Sequence, residues 1–197
     1  MSSRLTASLA PRRTAHRPDG GYSLTELLFV VLVGSTLMAM TGVSVGNAIN
    51  YAKANSAMQV LRSILVEGHD AALSSRRNVE VRFVGTNVVE LHRVNPDGTE
   101  IVFSSTRLEG GNTFQVFAGI PDTPDAFGHG TAISFQNAAA PYYFTSEGAF
   151  VDALGAPLSG TVSIGVTNHP ESQRAVTVFG GTGRVNSYAW NGTQWEH

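Results

Sequence analysis

Glu26 is an acidic side chain at the start of a long apolar segment. The nineteen residues that follow it, Leu27 to Val45, contain no charged side chain. As an α-helix they would extend roughly 28 Å, about the thickness of the hydrocarbon core of a bilayer. A carboxylate beside a bilayer core costs free energy, so such residues tend to be functional and paired. The spacing therefore raises the question of which positive group compensates Glu26.

A positive partner for Glu26 would arise if the chain were cut between Gly21 and Tyr22. Tyr22 would then carry a free α-amine, and Glu26 would be the fifth residue of the shortened chain. Groups at positions one and five lie on the same face of a helix. When such helices stack side by side, the amine of one can pair with the carboxylate of another, because unpaired charge is costly in an apolar medium.

The other polar clusters of the sequence give weaker indications of chemistry. Asp122, Asp125 and His129 carry metal-ligand groups, but their spacing matches no known binding loop, so a solvated loop is favoured. The glycines of FGGTGRV lack the Lys-Ser/Thr ending of a phosphate loop, which favours a β-turn. The chain contains no cysteine and no Gly-x-Ser-x-Gly motif. We therefore predict no enzyme activity, no metal site and no cofactor.

Charge separates the first 21 residues from the rest of the chain. They contain four arginines and one aspartate, whereas residues 22–197 contain nine basic and fourteen acidic residues. A basic segment before an apolar one is typical of the cytoplasmic flank of a membrane helix. A secretory signal peptide would have a shorter apolar core, a plain anchor would not explain Glu26, and a buried core helix would show a polar stripe.

The helical pattern continues beyond the apolar segment. Apolar residues recur with i, i+3, i+4 spacing from Ala54 through Leu61 and Leu65 to Ala72, which is typical of an amphipathic helix. We predict one helix over residues 22–75, beginning near Ser23. Its transmembrane part would cover about residues 24–46, and its second half would be apolar on one side.

After Arg77 the apolar period changes to two, which indicates β-strands. The segments predicted as strands are VEVRFVG, VVELHRV, EIVFSS, TFQVFA, AISFQ, YYFTS, TVSIGVT, RAVTVFG and RVNSYAW. Since an antiparallel sheet needs one face covered, we predict an α+β fold. In it, the amphipathic half of the helix packs on an all-β antiparallel domain over residues 76–197, a sandwich or a curved sheet.

Basic residues are too few in the C-terminal third to favour nucleic-acid binding, which requires several positive groups on one face. Arg174 and Arg184 are accompanied there by Glu171 and Glu196. Three further arginines follow the predicted helix, where capping of its last carbonyls is the favoured role: Arg76, Arg77 and Arg82. Packing or a subunit contact is the favoured role of three aromatic residues near the C-terminus: Tyr188, Trp190 and Trp195.

The segment GGYSLTELLFVVLVG resembles the N-terminal processing motif of type IV pilins and type II secretion pseudopilins. In that family a membrane aspartyl prepilin peptidase removes a basic leader after a glycine, and the new N-terminal residue is commonly N-methylated. The resemblance implies that residues 1–21 are such a leader, cut after Gly21. It further implies N-methylation of Tyr22, which departs mildly from the usual Phe, and filament assembly through Glu26.

The remaining chain resembles, less specifically, the minor subunits of the pseudopilin H / FimT-like branch. The similar residues are AALSSRRNVEVRFVG and the later Gly183-Arg184-Val185, and a proline common in major pilins would fall at Val43. The resemblance implies a structural subunit of a type II secretion pseudopilus or type IV pilus. It would be a single-pass inner-membrane protein with a periplasmic C-terminal domain. A DNA-binding minor pilin for natural transformation and a plain membrane-anchored β-domain remain alternatives.

Overall fold

The computed structural model describes residues 21–136 and 140–197, and it leaves the side chains of residues 39–45 and 47 undescribed. The predicted leader lies outside the described residues except for Gly21. The chain divides into two compact units, Met1–Gly42 and Val43–His197. The assembly residues predicted above belong to the first unit, and the β-strands belong to the second.

Helix α1 spans Leu24–Ser75, within one residue of the predicted Ser23 and Ser75. Its first turn is closed by the carbonyl of Ser23, which accepts the N–H groups of Glu26 at 3.0 Å and Leu27 at 3.1 Å. At the other end, Arg76 adopts a left-handed conformation with φ of 51°, a common way to end a helix.

The predicted capping of α1 by arginine side chains is wrong for two of the three residues. The backbone N–H of Arg77, not its side chain, donates to the carbonyl of Ala72 at 3.3 Å. The Arg77 guanidinium donates to Asn95 Oδ1 instead, and the Arg82 guanidinium binds Glu80. Both guanidinium groups are therefore bound to side chains that follow the helix.

Eleven strands follow α1 within the described residues. They are β1 Val79–Val84, β2 Val88–Val94, β3 Glu100–Arg107, β4 Asn112–Phe114, β5 Ile133–Phe135, β6 Tyr142–Phe144, β7 Phe150–Val151, β8 Gly160–Val166, β9 His169–Val178, β10 Val185–Trp190 and β11 Trp195–Glu196. All nine predicted strands are present. The two-residue strands β7 and β11 were not predicted, and β9 begins five residues before the predicted Arg174.

The strands form two antiparallel sheets. Sheet 1 has the order β3-β2-β1-β6-β7, and sheet 2 has the order β11-β10-β9-β8-β4, with β5 also pairing with β8. Strands β4 and β5 share one edge of β8, because Asn112 pairs with Val166 and Ile133 pairs with Val162. The predicted α+β class with antiparallel sheets is confirmed.

The core of the second unit contains the apolar stripe of α1 and residues from both sheets. Leu61 and Leu65 of the helix are fully buried, as are Phe144 of sheet 1 and Val176 of sheet 2. Burying one such leucine contributes about 1.5–3 kcal/mol. The helix approaches sheet 1 closely at Gly68, where an added Cβ would lie 3.0 Å from the Leu91 side chain.

Among the described residues, no helical stretch has the length and apolarity needed to span a bilayer. The predicted span of about residues 24–46 includes residues 39–45, whose side chains lie outside the described part of the chain. The transmembrane segment therefore stays a prediction.

Candidate processing and assembly site

The predicted cleavage site lies in a short non-helical segment directly before α1. Gly21, Tyr22 and Ser23 have no regular secondary structure, and Tyr22 is 80% exposed. A Cβ added to Gly21 would meet no atom within 4 Å. The peptide bond between Gly21 and Tyr22 is therefore open to a protease, which needs an accessible and locally unstructured substrate.

Glu26 lies in the first turn of α1, and its side chain is exposed. A carboxylate is favourable there because the helix N-terminus carries a partial positive charge from unpaired N–H groups. No ion pair involves Glu26 among the described residues.

Tyr22 and Glu26 do not share a helical face in the uncut chain. Because α1 begins at Leu24, Tyr22 precedes the helix. The Ser23 hydroxyl is hydrogen-bonded to the Thr25 hydroxyl at 2.6 Å, and the Ser23 carbonyl receives the first helical bonds. The predicted one-to-five relation would require two more residues, Tyr22 and Ser23, to join the helix.

The segment after Glu26 presents apolar side chains on every face of α1. Six consecutive residues are 60–67% exposed: Leu27, Leu28, Phe29, Val30, Val31 and Leu32. The hydroxyls of Ser35 and Thr36 donate back to the carbonyls of Leu32, at 2.9 Å, and Val33, at 2.8 Å. Both hydroxyls are therefore hydrogen-bonded within the helix.

The glycine-rich segment FGGTGRV forms the connection between β9 and β10, as predicted. Gly183 has φ of +61°, and an added Cβ would lie 2.3 Å from the carbonyl oxygen of Gly148 and 2.5 Å from His69 Cδ2. Any other residue at this position would collide with the backbone of a neighbouring turn. Gly183 is therefore explained by close packing alone.

Asp122, Asp125 and His129 do not converge on a metal site. Asp122 accepts the backbone N–H groups of Thr123 and Gly128, while Asp125 accepts the Thr177 hydroxyl at 2.5 Å. No cluster of three metal-ligating side chains is present in the described part of the chain. The interpretation as a solvated loop is incomplete, because Asp125 attaches the loop to sheet 2.

Arg174 is a buried residue whose role the sequence did not indicate. Its side chain is fully buried, its guanidinium lies 4.1 Å from the centre of the Tyr51 ring, and its Nε donates to Asn55 Oδ1 at 2.6 Å. Burial lowers the pKa of Arg174. Arg174 and Asn55 are 119 residues apart in the sequence, so no local pattern indicates this contact. Because its side chain is buried, Arg174 is not available to a surface ligand.

Arg82 is also bound to neighbouring side chains. It donates two hydrogen bonds to Glu80 at 2.6 and 2.7 Å and contacts Glu100. The hydrogen bond to Glu80 is the largest effect and raises the pKa of Arg82; burial opposes it, and the hydrogen bond to Glu100 raises the pKa further. Arg82 was one of the arginines considered for nucleic-acid binding. Its positive charge is paired with the carboxylates of Glu80 and Glu100.

No family model and no curated protein matches this chain. Among solved structures, the minor pseudopilin EpsH from the type 2 secretion system of Vibrio cholerae is similar in fold. It is 18% identical with a TM-score of 0.46, over 68% of this chain and 97% of that chain. The type IV minor pilin FimU of Pseudomonas aeruginosa is 13% identical with a TM-score of 0.47, over 73% and 92% of the respective chains.

Proposed function

We propose that this chain is a structural, minor subunit of a pilin-like filament, either a type II secretion pseudopilus or a type IV pilus. The first part of α1, about residues 24–46, spans the inner membrane, and the C-terminal domain lies in the periplasm. A prepilin peptidase cuts after Gly21, and Tyr22 is N-methylated. The subunit then joins other pilins or pseudopilins through Glu26.

One observation carries this proposal: an open cleavage segment directly precedes a helix that has an unpaired acid in its first turn and apolar side chains all round. Gly21 and Tyr22 are accessible, and Glu26 follows within the first turn. A helix that is apolar on all faces needs lipid or other helices around it. Glu26 at the start of the helix also fixes how far neighbouring helices shift along its axis. Only one shift places a positive group of the neighbour beside the carboxylate.

The assembly step follows from electrostatics in a low-dielectric medium. Cleavage creates the α-amine of Tyr22, which carries a positive charge in the new subunit. The carboxylate of Glu26 in an adjacent helix attracts this amine more strongly than it would in water. Pairing relieves the cost of both charges, so a subunit passes from lipid into a filament without leaving either charge uncompensated.

The first test is co-expression of the full chain with a prepilin peptidase, followed by N-terminal sequencing and intact-mass measurement. We expect a new N-terminus at Tyr22, about 14 Da heavier where a methyl group is added. The Gly21→Ala variant should remain uncut. An uncut wild-type chain, or a cut within residues 39–48, would contradict the proposal.

The role of Glu26 is tested by cross-linking in membranes. Because the chain has no cysteine, a single Leu27→Cys substitution gives a unique cross-linking site. Glu26→Gln in that background should still be cut, and its cross-linking to co-expressed pilin-like subunits should fall by about tenfold or more. Glu67→Gln is the matched control, since Glu67 is an exposed acid of the same helix, and it should cross-link like wild type.

A further inference from the structure

Strand β3 is an unusually long free edge. It contains eight residues and pairs with β2 alone among the described residues. The other edge strands in this part of the chain, β4, β5, β7 and β11, have two or three residues. Short edges protect a sheet from unwanted pairing, whereas a long edge is a template for another strand.

The edge also exposes apolar side chains on both of its faces. Ile101 is 56% exposed and Val102 is 49% exposed.

A register shift opposite Leu91 and His92 interrupts the pairing of β3 with β2. After this irregularity, the pairing is regular from Ser104 to Arg107. The last half of β3 therefore offers a regular edge for backbone hydrogen bonds.

A groove lies beside this regular edge, between β3 and the second half of α1. Its volume is about 360 Å³, and its lining includes Ala57 and Val60 from the helix and Thr106 from the strand. The aliphatic part of Lys53 forms a further wall, because it packs against Gly110. The groove thus has apolar walls next to an unpaired strand edge.

Two cations line the groove without forming an ion pair among the described residues. Lys53 and Arg107 are both exposed, and the ion pairs of this part of the chain involve other residues. Glu109 is the one carboxylate in the lining, so the groove has a positive excess in a chain whose formal net charge is −2. Its complement is an acidic ligand.

The part of β3 that precedes Thr106 lies near negative charge. Glu67 of α1 accepts the hydroxyl of Ser104, the first residue of the regular edge, at 3.4 Å, and Glu100 at the start of β3 contacts Arg82. A ligand strand that is acidic along its whole length would meet these carboxylates. The complementary strand is therefore acidic at the Arg107 end and uncharged where it passes Ile101 and Val102.

We propose that β3 and its neighbouring groove bind an extended segment of another protein by strand addition. Backbone hydrogen bonds to the edge from Ser104 to Arg107 supply affinity, and Lys53 and Arg107 select a segment with an acidic end. This binding site belongs to the β-rich unit and does not depend on cleavage at Gly21 or on Glu26. It goes beyond the proposed filament role, so either idea can fail without the other.

The test uses the full chain in detergent micelles and a fluorescent, end-capped peptide of sequence Asp-Glu-Val-Thr-Val-Thr. In antiparallel pairing, its acidic end lies beside Arg107. We expect saturable binding by fluorescence anisotropy. A peptide with two lysines in place of the acids should bind about tenfold more weakly or worse. The reversed sequence, with its acids at the C-terminus, reports parallel pairing and supports the same site.

Matched variants separate a specific groove from general charge attraction. Lys53→Glu and Arg107→Glu should each weaken binding several-fold. Arg62→Glu makes the same charge change at another exposed position of α1, and it should leave binding unchanged. A peptide with every backbone amide N-methylated has no N–H group to donate to the edge of β3 and should not bind.

Four results would overturn the proposal. One is undiminished binding of the N-methylated peptide, and another is an equal loss of affinity in Lys53→Glu and Arg62→Glu. The third is the absence of saturable binding for both acidic peptides while the circular dichroism of the chain remains native. The fourth is displacement of the bound peptide by a single-stranded oligonucleotide that binds more strongly. In that case Lys53 and Arg107 would bind nucleic acid rather than a protein segment.

Discussion

The two halves of α1 are continuous in sequence but differ in the exposure of their apolar side chains. In the first half, Leu28 and Leu32 are each 60% exposed, whereas Leu61 and Leu65 in the second half are fully buried. Both halves are rich in apolar side chains. The difference is that the second half restricts them to one stripe, and both sheets contact that stripe.

Under the proposed function, this contrast suits one helix to two surroundings, lipid or other subunits for its first half and the protein core for its second half. The stripe of the second half is covered within the chain, so its packing stabilises the β-rich unit. The apolar side chains of residues 27–33 are exposed in the described chain; under the proposed function, lipid or neighbouring subunits would cover them. Stability of the fold and assembly should therefore respond to different substitutions.

The largest effect that would test this contrast is expected from Leu61→Ala. This substitution removes a fully buried side chain from the core, and it should lower the free energy of unfolding by about 3 kcal/mol. Urea unfolding of the full chain in micelles, followed through the fluorescence of Trp190 and Trp195, measures this change. Leu32→Ala is the matched control and should change the free energy by less than about 0.5 kcal/mol. Equal losses in the two variants would contradict the division.

A smaller effect is expected from Arg174, which joins the second half of α1 to sheet 2. Arg174→Ala leaves a cavity and also leaves Asn55 and several carbonyls without their donor, so we expect a loss of about 2–3 kcal/mol in the same urea experiment. Arg174→Met removes the same donors but fills most of the cavity and removes a buried charge, so its loss should be smaller, about 1 kcal/mol. If Met were as damaging as Ala, the hydrogen bonds to Asn55 would matter more than the volume.

Most elements could be predicted from the sequence because their signals are local. The period of 3.6 residues from Ala54 to Ala72 predicted the buried stripe, and the turn residues around Asn95 and Gly98 predicted the end of β2. Strands β7 and β11 were missed since two residues are too few to show a period of two. Their pairing depends on neighbouring strands rather than on their own composition.

Side-chain partners between distant residues could not be predicted. Arg174 was considered as a surface cation, because nothing near it in sequence indicates Tyr51 or Asn55. Asp125 was considered as part of a solvated loop, yet its carboxylate binds Thr177, 52 residues away. In the processing segment, the motif predicted which residues matter. The predicted helix start near Ser23 lies within one residue of the observed Leu24, so Tyr22 stays outside the helix in the uncut chain.

The smallest expected effect is on the pH dependence of stability. It compares a buried tyrosine, Tyr142, with an exposed one, Tyr22. Burial raises the pKa of Tyr142 above its ordinary value of 10.0. In the unfolded chain this phenol ionises first, so the stabilising contribution is present below pH 10 and is lost as pH rises through the folded pKa. Tyr142→Phe should therefore reduce the fall in urea midpoint between about pH 9 and pH 11.

Tyr22 provides the matched control for this titration, because it is a tyrosine of the exposed N-terminal segment. Tyr22→Phe should leave the alkaline fall in midpoint unchanged. Part of the fall should persist in Tyr142→Phe, since burial also raises the pKa of Tyr143 and Tyr188. If the two variants had identical profiles, Tyr142 would not be desolvated more than Tyr22. The aromatic cluster that Tyr142 forms with Phe135 and Phe150 would then be open to water at high pH.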